Sequence, residues 1–197
     1  MIKIKYISIL FFFFLVSCKD ENLTNYQNEI DQLSTYKKQS EYLERIYNLD
    51  QNIREEGANI LQKTGDRSIE YVNNRDSTMR LDEINLAKIE AYLAKYGHPT
   101  SKSHTSVATM TPWLIIHHNP STETSKKHFK TLYQAYKNGN LEGGAFTLYL
   151  GRYFSIVYQQ RLDLKSPYTE EFEVDTIVKA LGLSKMRDEV DAALDKL

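Results

Sequence analysis

Residues 43–61 read LERIYNLDQNIREEGANIL, and the spacing of the apolar residues in this stretch decides the fold class. At 100° per residue, Leu43, Ile46, Tyr47, Ile53, Ile60 and Leu61 gather on one arc, while Arg45, Asn48, Asn52, Glu55 and Glu56 lie opposite. A β-strand would alternate with period two, and this stretch does not. The chain holds only 8 Gly and 4 Pro, too few for the tight turns of an all-β domain.

Working outward, the helical pattern continues on both sides. Upstream, Ile30 and Leu33 extend the apolar spacing, and Thr24-x-x-Gln27 has the form of a capping box opening a long helix, with room for a break near Ser40. Downstream, Gly65 is a stop. Ser77 is a candidate cap for a helix over Met79–Tyr96, ended by Gly97 and Pro99. His98–Met110 reads as a polar loop or a partly helical entry, and Thr111-Pro112 suits a helix start. Trp113–Ile116 is apolar all round and should be buried. Lys126–Asn138, Ala145–Gln159 and Thr169–Leu181 read as helices, with Gly143-Gly144 as a hinge. Ser184 caps a last helix carrying Met186, Val190, Ala193, Leu194 and Leu197 on one face. The expectation is an all-α fold: a single domain of about six or seven helices with short loops and no disulfides.

Composition narrows the function classes. The chain has 197 residues, a hydrophobic fraction of 41% and a charged fraction of 26%, as an ordinary globular protein does. Lys and Arg number 25 against 26 Asp and Glu. No basic run offers a footprint for nucleic acid. Cys18 is the single cysteine, which excludes an intrachain disulfide and any multi-cysteine metal centre. The five histidines fall between His98 and His128, but adjacent His117 and His118 point about 100° apart on a helix, poor geometry for one ion. No Gly-rich phosphate loop, G-x-S-x-G elbow or H-E-x-x-H pair is present. No cofactor and no metal site is expected.

The N-terminus has its own signature. Lys3 and Lys5 make a positive start, and Ile7–Val16 is nearly all apolar. Ten residues rise about 15 Å as a helix, half of a bilayer's hydrocarbon core, which suits a leader and not a spanning helix. Leu15-Val16-Ser17-Cys18 resembles the lipobox of bacterial lipoproteins. That resemblance implies a leader over residues 1–17, cleavage before Cys18, and diacylglycerol on its thiol. Two or more acyl chains anchor stably. A lipidated tether would cover 18–25 and the helical domain 26–197. Lys19-Asp20-Glu21 is similar to the export tag that sends Bacteroidetes lipoproteins to the outer surface; it could equally be a solvated tether in the periplasm.

Several polar residues fall on apolar arcs. Asp50, Arg54 and Gly57 interrupt the first arc, Asp82 and Asn85 the second, and Arg152 lies among Ala145, Leu148, Tyr149 and Ile156. His117 and His118 close the apolar run. An unpaired buried charge costs several kcal/mol, so these groups should meet: Asp50 and Asp82 with Arg54 and Arg152, His118 nearby. Two outcomes are open. One is a buried ion-pair network that fixes helix register. The other is a pocket where Arg54 and Arg152 bind an anion and His118 transfers a proton, oriented by Asp50 or Asp82.

In order, Asp50-Gln51-x-x-Arg54, Asp82-x-x-Asn85, Tyr96-Gly97-His98-Pro99, Ile115-Ile116-His117-His118 and Arg152 resemble the motif series of an uncharacterised bacterial family, a domain of unknown function, over about Leu43 to Leu183. This chain departs from it at His98 (Trp in the family), at Gly151 (Asp) and in lacking Y-G-T-Q after Gln160. The resemblance implies a shared polar cluster and no reaction. The functional expectation is a lipid-anchored envelope module, joined to the membrane through Cys18, that binds a protein or glycan without catalysis. The alternative is an envelope hydrolase or transferase acting on an anionic substrate.

Overall fold

The computed structural model describes residues 20–161 and 171–196, with side chains from residue 26 and again from 173. The expected leader, Cys18, Lys19, Thr169 and Leu197 lie outside the described residues. Among those described there are eight helices and no strand, one helix more than expected: α1 Asp20–Asp31, α2 Tyr36–Thr64, α3 Ile69–Tyr96, α4 Ser106–His118, α5 Thr122–Lys137, α6 Gly143–Tyr158, α7 Glu171–Ala180 and α8 Ser184–Leu194. None is long and apolar enough to cross a membrane.

The extra helix comes from the first boundary. Thr24 lies inside α1 and not at its start, and helix already occupies part of the expected tether. The break falls after Asp31, before the expected Ser40, because Thr35 caps α2 by accepting from the Lys38 amide at 3.2 Å. Gln39 and Tyr96 secure that turn: both donate to the Leu33 carbonyl.

Other boundaries move for similar reasons. Ser68, not Ser77, caps α3 by accepting from the Tyr71 amide; Ser77 is mid-helix and its hydroxyl donates to the Asn73 carbonyl. Pro112 lies inside α4, whose cap is Thr105, accepting from Ala108 N. A buried interior proline costs one helical hydrogen bond. Here the Thr111 hydroxyl donates to the Val107 and Leu43 carbonyls, fastening that part of α4 to α2. Gly143 and Gly144 form the first turn of α6 and are no hinge. Ser184 is the first residue of α8 and makes no cap bond.

One apolar core unites the chain into a single domain. α3 and α4 pack on α2 and on each other, and α1 packs on α3, burying Ile30, Tyr42, Leu43, Ile46, Ile89, Tyr92 and Ile116. α5, α6, α7 and α8 form the second group, around Phe129, Leu132, Phe146, Leu150 and Ile177. α4 touches both groups.

The antiparallel α2–α3 hairpin is the longest element. At 1.5 Å per residue α2 spans about 43 Å and α4 about 20 Å. α4 ends at His118, beside Asp50, so the hairpin runs on past it as an arm. At Gly57 the Asn74 side chain seats against the α2 backbone: a Cβ would collide with Asn74 Oδ1, while Asn74 Nδ2 donates to the Ile53 carbonyl at 3.2 Å.

Candidate functional site

The polar residues of α2, α3 and α4 meet where the arm leaves the body. Asp50 has a fully buried side chain, reached by donors from three residues. Gln51 Nε2 donates at 2.7 Å, Arg54 donates from Nε at 3.2 Å to each oxygen and from NH2 at 3.0 Å, and His118 Nδ1 lies 3.0 Å away. Arg54 NH2 also bonds Asp82 Oδ1. One guanidinium therefore bridges two carboxylates from neighbouring helices, the bidentate geometry that arginine favours.

The two carboxylates are tuned apart. Burial acts to raise Asp50, but the hydrogen bonds from His118 and Arg54 outweigh it and hold Asp50 below the ordinary carboxylate value. Asp82 is raised: its own burial, reinforced by the charge of Asp50, prevails over the attraction of Arg54. His117, the neighbour of His118, is pushed down to about 4, chiefly by burial, and its ring stacks on Trp113 with centroids 5.3 Å apart.

The expected meeting of both arginines with carboxylates is half right. Arg152 is exposed, not on the buried face of α6, and its one bond among the described residues is a 3.4 Å donation to the His118 carbonyl. Periodicity misplaced it because the core-facing stripe of α6 runs through Phe146, Tyr149, Leu150, Tyr153 and Phe154. In α3, likewise, Ile84 is 41% exposed, and the buried stripe runs through Asn85, Ile89 and Tyr92. Asn85 is buried, and its Nδ2 has no protein partner. The Arg54–Asp82 and Tyr42–Tyr92 pairings set the register of the hairpin, which brings Asn85 to the level of Asp50.

The cluster is not sealed. Arg54, Asp82, His118 and Arg152 line one end of a groove of about 770 Å³ between the arm and the body. Their exposure grades outward from Asp50 at 0%, through Asp82 at 18% and His118 at 19%, to Arg54 at 30%. Sequence reasoning missed the turn that closes the groove, Asn119-Pro120-Ser121, although its signal was there: Ser121 caps α5 by accepting from Thr124 N, and its hydroxyl donates to Glu123. It also missed Gly57, Ala58 and Leu61 as the opposite wall.

Chemically the arrangement offers a positioned imidazole. The Asp50 oxygen accepts from Nδ1–H, so the neutral ring carries its lone pair on Nε2, which has no protein partner among the described residues. Arg54 is committed to two carboxylates. Arg152 is the groove cation without a carboxylate partner among the described residues. Ser121, the hydroxyl on the same rim, is occupied by capping. No three His, Cys, Asp or Glu side chains gather as metal ligands among the described residues.

Two further polar clusters lie away from the groove. Glu90 bonds His128 Nε2 and Lys127 Nζ, each at 2.8 Å, and the His128 hydrogen bond brings its carboxyl down to about 2. Gln39 Oε1 accepts from the Tyr92 hydroxyl at 3.2 Å and meets His104 Nε2 at 3.1 Å. Both tie helices together within the bundle. No family model, curated protein or solved structure matches this chain.

Proposed function

We propose that this is a lipid-anchored protein of the bacterial cell envelope whose groove binds an anionic ligand, with Arg152 as the anion clamp and His118 as the adjoining donor through Nε2–H of its doubly protonated ring. The observation that carries the ligand reading is that the Asp50–Arg54–Asp82–His118 network opens on a groove that also holds Arg152, a cation without a carboxylate partner among the described residues. The lipobox-like Leu15-Val16-Ser17-Cys18 and the Lys19-Asp20-Glu21 run support the anchor and display at the outer membrane, on the surface or in the periplasm. The contacts among Asp50, Arg54, Asp82 and His118, with Arg152 on the same groove, support treating them as one unit. Acidic groups on envelope proteins or glycans are among the ligands that this reading admits.

A second reading has one observation in its favour. His118 is held by buried Asp50 with Nε2 towards the groove, the orientation in which an imidazole acts as general base for water. In that reading the protein is a hydrolase of an anionic substrate.

The test has two arms. Mass spectrometry of membrane-extracted protein finds a diacylated Cys18 as the first residue, and Cys18→Ser releases the protein from the membrane; an unmodified Cys18 or an uncut leader overturns the anchor. Inorganic phosphate and acetate, titrated separately, shift the His118 ring resonances saturably in the native protein and not in Arg152→Gln. Absence of any saturable shift with either anion overturns the groove reading.

A further inference from the structure

The groove changes character along its length. Its inner end carries His118, Arg152, Arg54 and Asp82. From Arg54 to Leu61 the floor follows α2 for about 10 Å, two helical turns, and there the walls become Gly57, Ala58 and Leu61 of α2 with Met79 and Tyr71 of α3. Leu61 and Met79 are 40% and 59% exposed. These uncovered apolar side chains face a groove that a charged site would not require, since a small anion occupies only the inner end.

Charge sets the head group. Arg54 already serves Asp50 and Asp82, so Arg152 and His118 are the groups left for a ligand. Asp82 and Glu83 on the same wall oppose a second negative charge. At the far end Arg75 is engaged by Asp76 at 3.7 Å. The inner end therefore fits one acidic group of low charge, with an apolar body leading away from it along the arm.

We propose that the groove takes a single-chain acidic amphiphile, its carboxylate or phosphate diester held at Arg152 and His118 and its alkyl tail laid along α2 and α3 towards Leu61. This rests on the anion-binding reading above and adds the tail. The chemistry would suit a free fatty acid or a single-chain phospholipid alike. Each methylene covered by the groove tightens binding about twofold to fourfold, the lower figure allowing for partial burial.

Photocrosslinking on the full chain in phosphatidylcholine vesicles tests this, because the labelled residues can be mapped and partition into the bilayer does not mimic them. The probe is decanoic acid with a diazirine near its tail. Labelling is expected on peptides containing Leu61, Tyr71 and Met79, competed by decanoate and by the monoanionic diester decyl methyl phosphate, and at least tenfold weaker in Arg152→Gln and in Leu61→Asn. Arg152 and Leu61 are both exposed, and thermal melts of each variant check that it folds. Preferential competition by decanoate points to a fatty acid as the source, and by decyl methyl phosphate to a phospholipid. Labelling competed as well by acetate as by decanoate would overturn the tail while leaving the anion site standing. Labelling competed equally by decyltrimethylammonium would overturn the acidic head. Labelling spread evenly over the chain, with no competition by any anion, would overturn the amphiphile and the groove together.

Discussion

Replacing Asp50 by Asn isolates the group on which the cluster turns. The variant keeps size and one acceptor oxygen but removes the charge, and it presents an amide N–H₂ to donors. Asp50 accepts from Arg54, Gln51 and His118 and is fully buried. Breaking a fully buried ion pair costs about 3–5 kcal/mol. Two features reduce that here. Arg54 is 30% exposed and keeps Asp82, so its charge is not stranded. His118 is 19% exposed and its Nδ1 can turn to water. Removing a buried carboxylate also recovers its desolvation. The expected loss is about 2–3 kcal/mol, which for a domain of this size lowers Tm by about 4–12 °C. Urea unfolding at pH 7, followed by circular dichroism, should show a lower midpoint with unchanged slope. Arg54→Met, which strands two carboxylates, should cost at least as much. The double variant should lose less than the sum of the singles, with a coupling of about 1–3 kcal/mol. A midpoint for Asp50→Asn within error of the native protein, or additive losses, would refute the network as a stabilising unit.

Acid should loosen the fold above the range where its carboxylates titrate. Burial lowers His98 and His117 each to about 4 from 6.5, so between those values the unfolded chain binds protons that the folded one refuses. Stability present above pH 6.5 is lost as pH falls towards 4, by on the order of 3 kcal/mol per ring at most; a flat urea midpoint from pH 7 to 5 would contradict this. Glu90, held at about 2 by His128 and Lys127, stabilises above pH 4.5 and loses that effect as pH falls towards 2. The penalty of Glu90→Gln, about 1 kcal/mol at pH 7 for a part-exposed group, should shrink by pH 3; a penalty independent of pH would count against the pairing. Gly57→Ala gains about 1 kcal/mol of helix propensity and loses the Asn74 bond to Ile53, worth about the same. It should be near neutral alone and stabilising by about 1 kcal/mol in an Asn74→Ala background, where destabilisation would show that the crossing itself demands glycine.

Periodicity identified the helices and the part of the core that neighbours cover, because an amphipathic helix repeats its apolar face every turn; Leu61, on the same arc as Leu43, stays 40% exposed on the arm where no helix covers it. Leu43, Ile46, Ile89, Tyr92, Phe129, Leu132 and Val190 are buried as their spacing implies. Composition excluded a disulfide framework, and the need of buried charge for a partner grouped Asp50, Arg54, Asp82 and His118 before any contact was known. Helix ends were less legible, since Thr24, Ser77 and Ser184 have the chemistry of a cap and only the course of the chain selects Thr35, Ser68 and Thr105. Tertiary structure alone decided whether the polar cluster lies open or closed. α4 is short and the α2–α3 hairpin long, so Arg54 and Asp82 are left at a groove instead of under a helix, and Arg152 emerges on its rim. That difference depends on which elements overlap in space, and helical spacing along one chain carries no information about where a neighbouring helix stops.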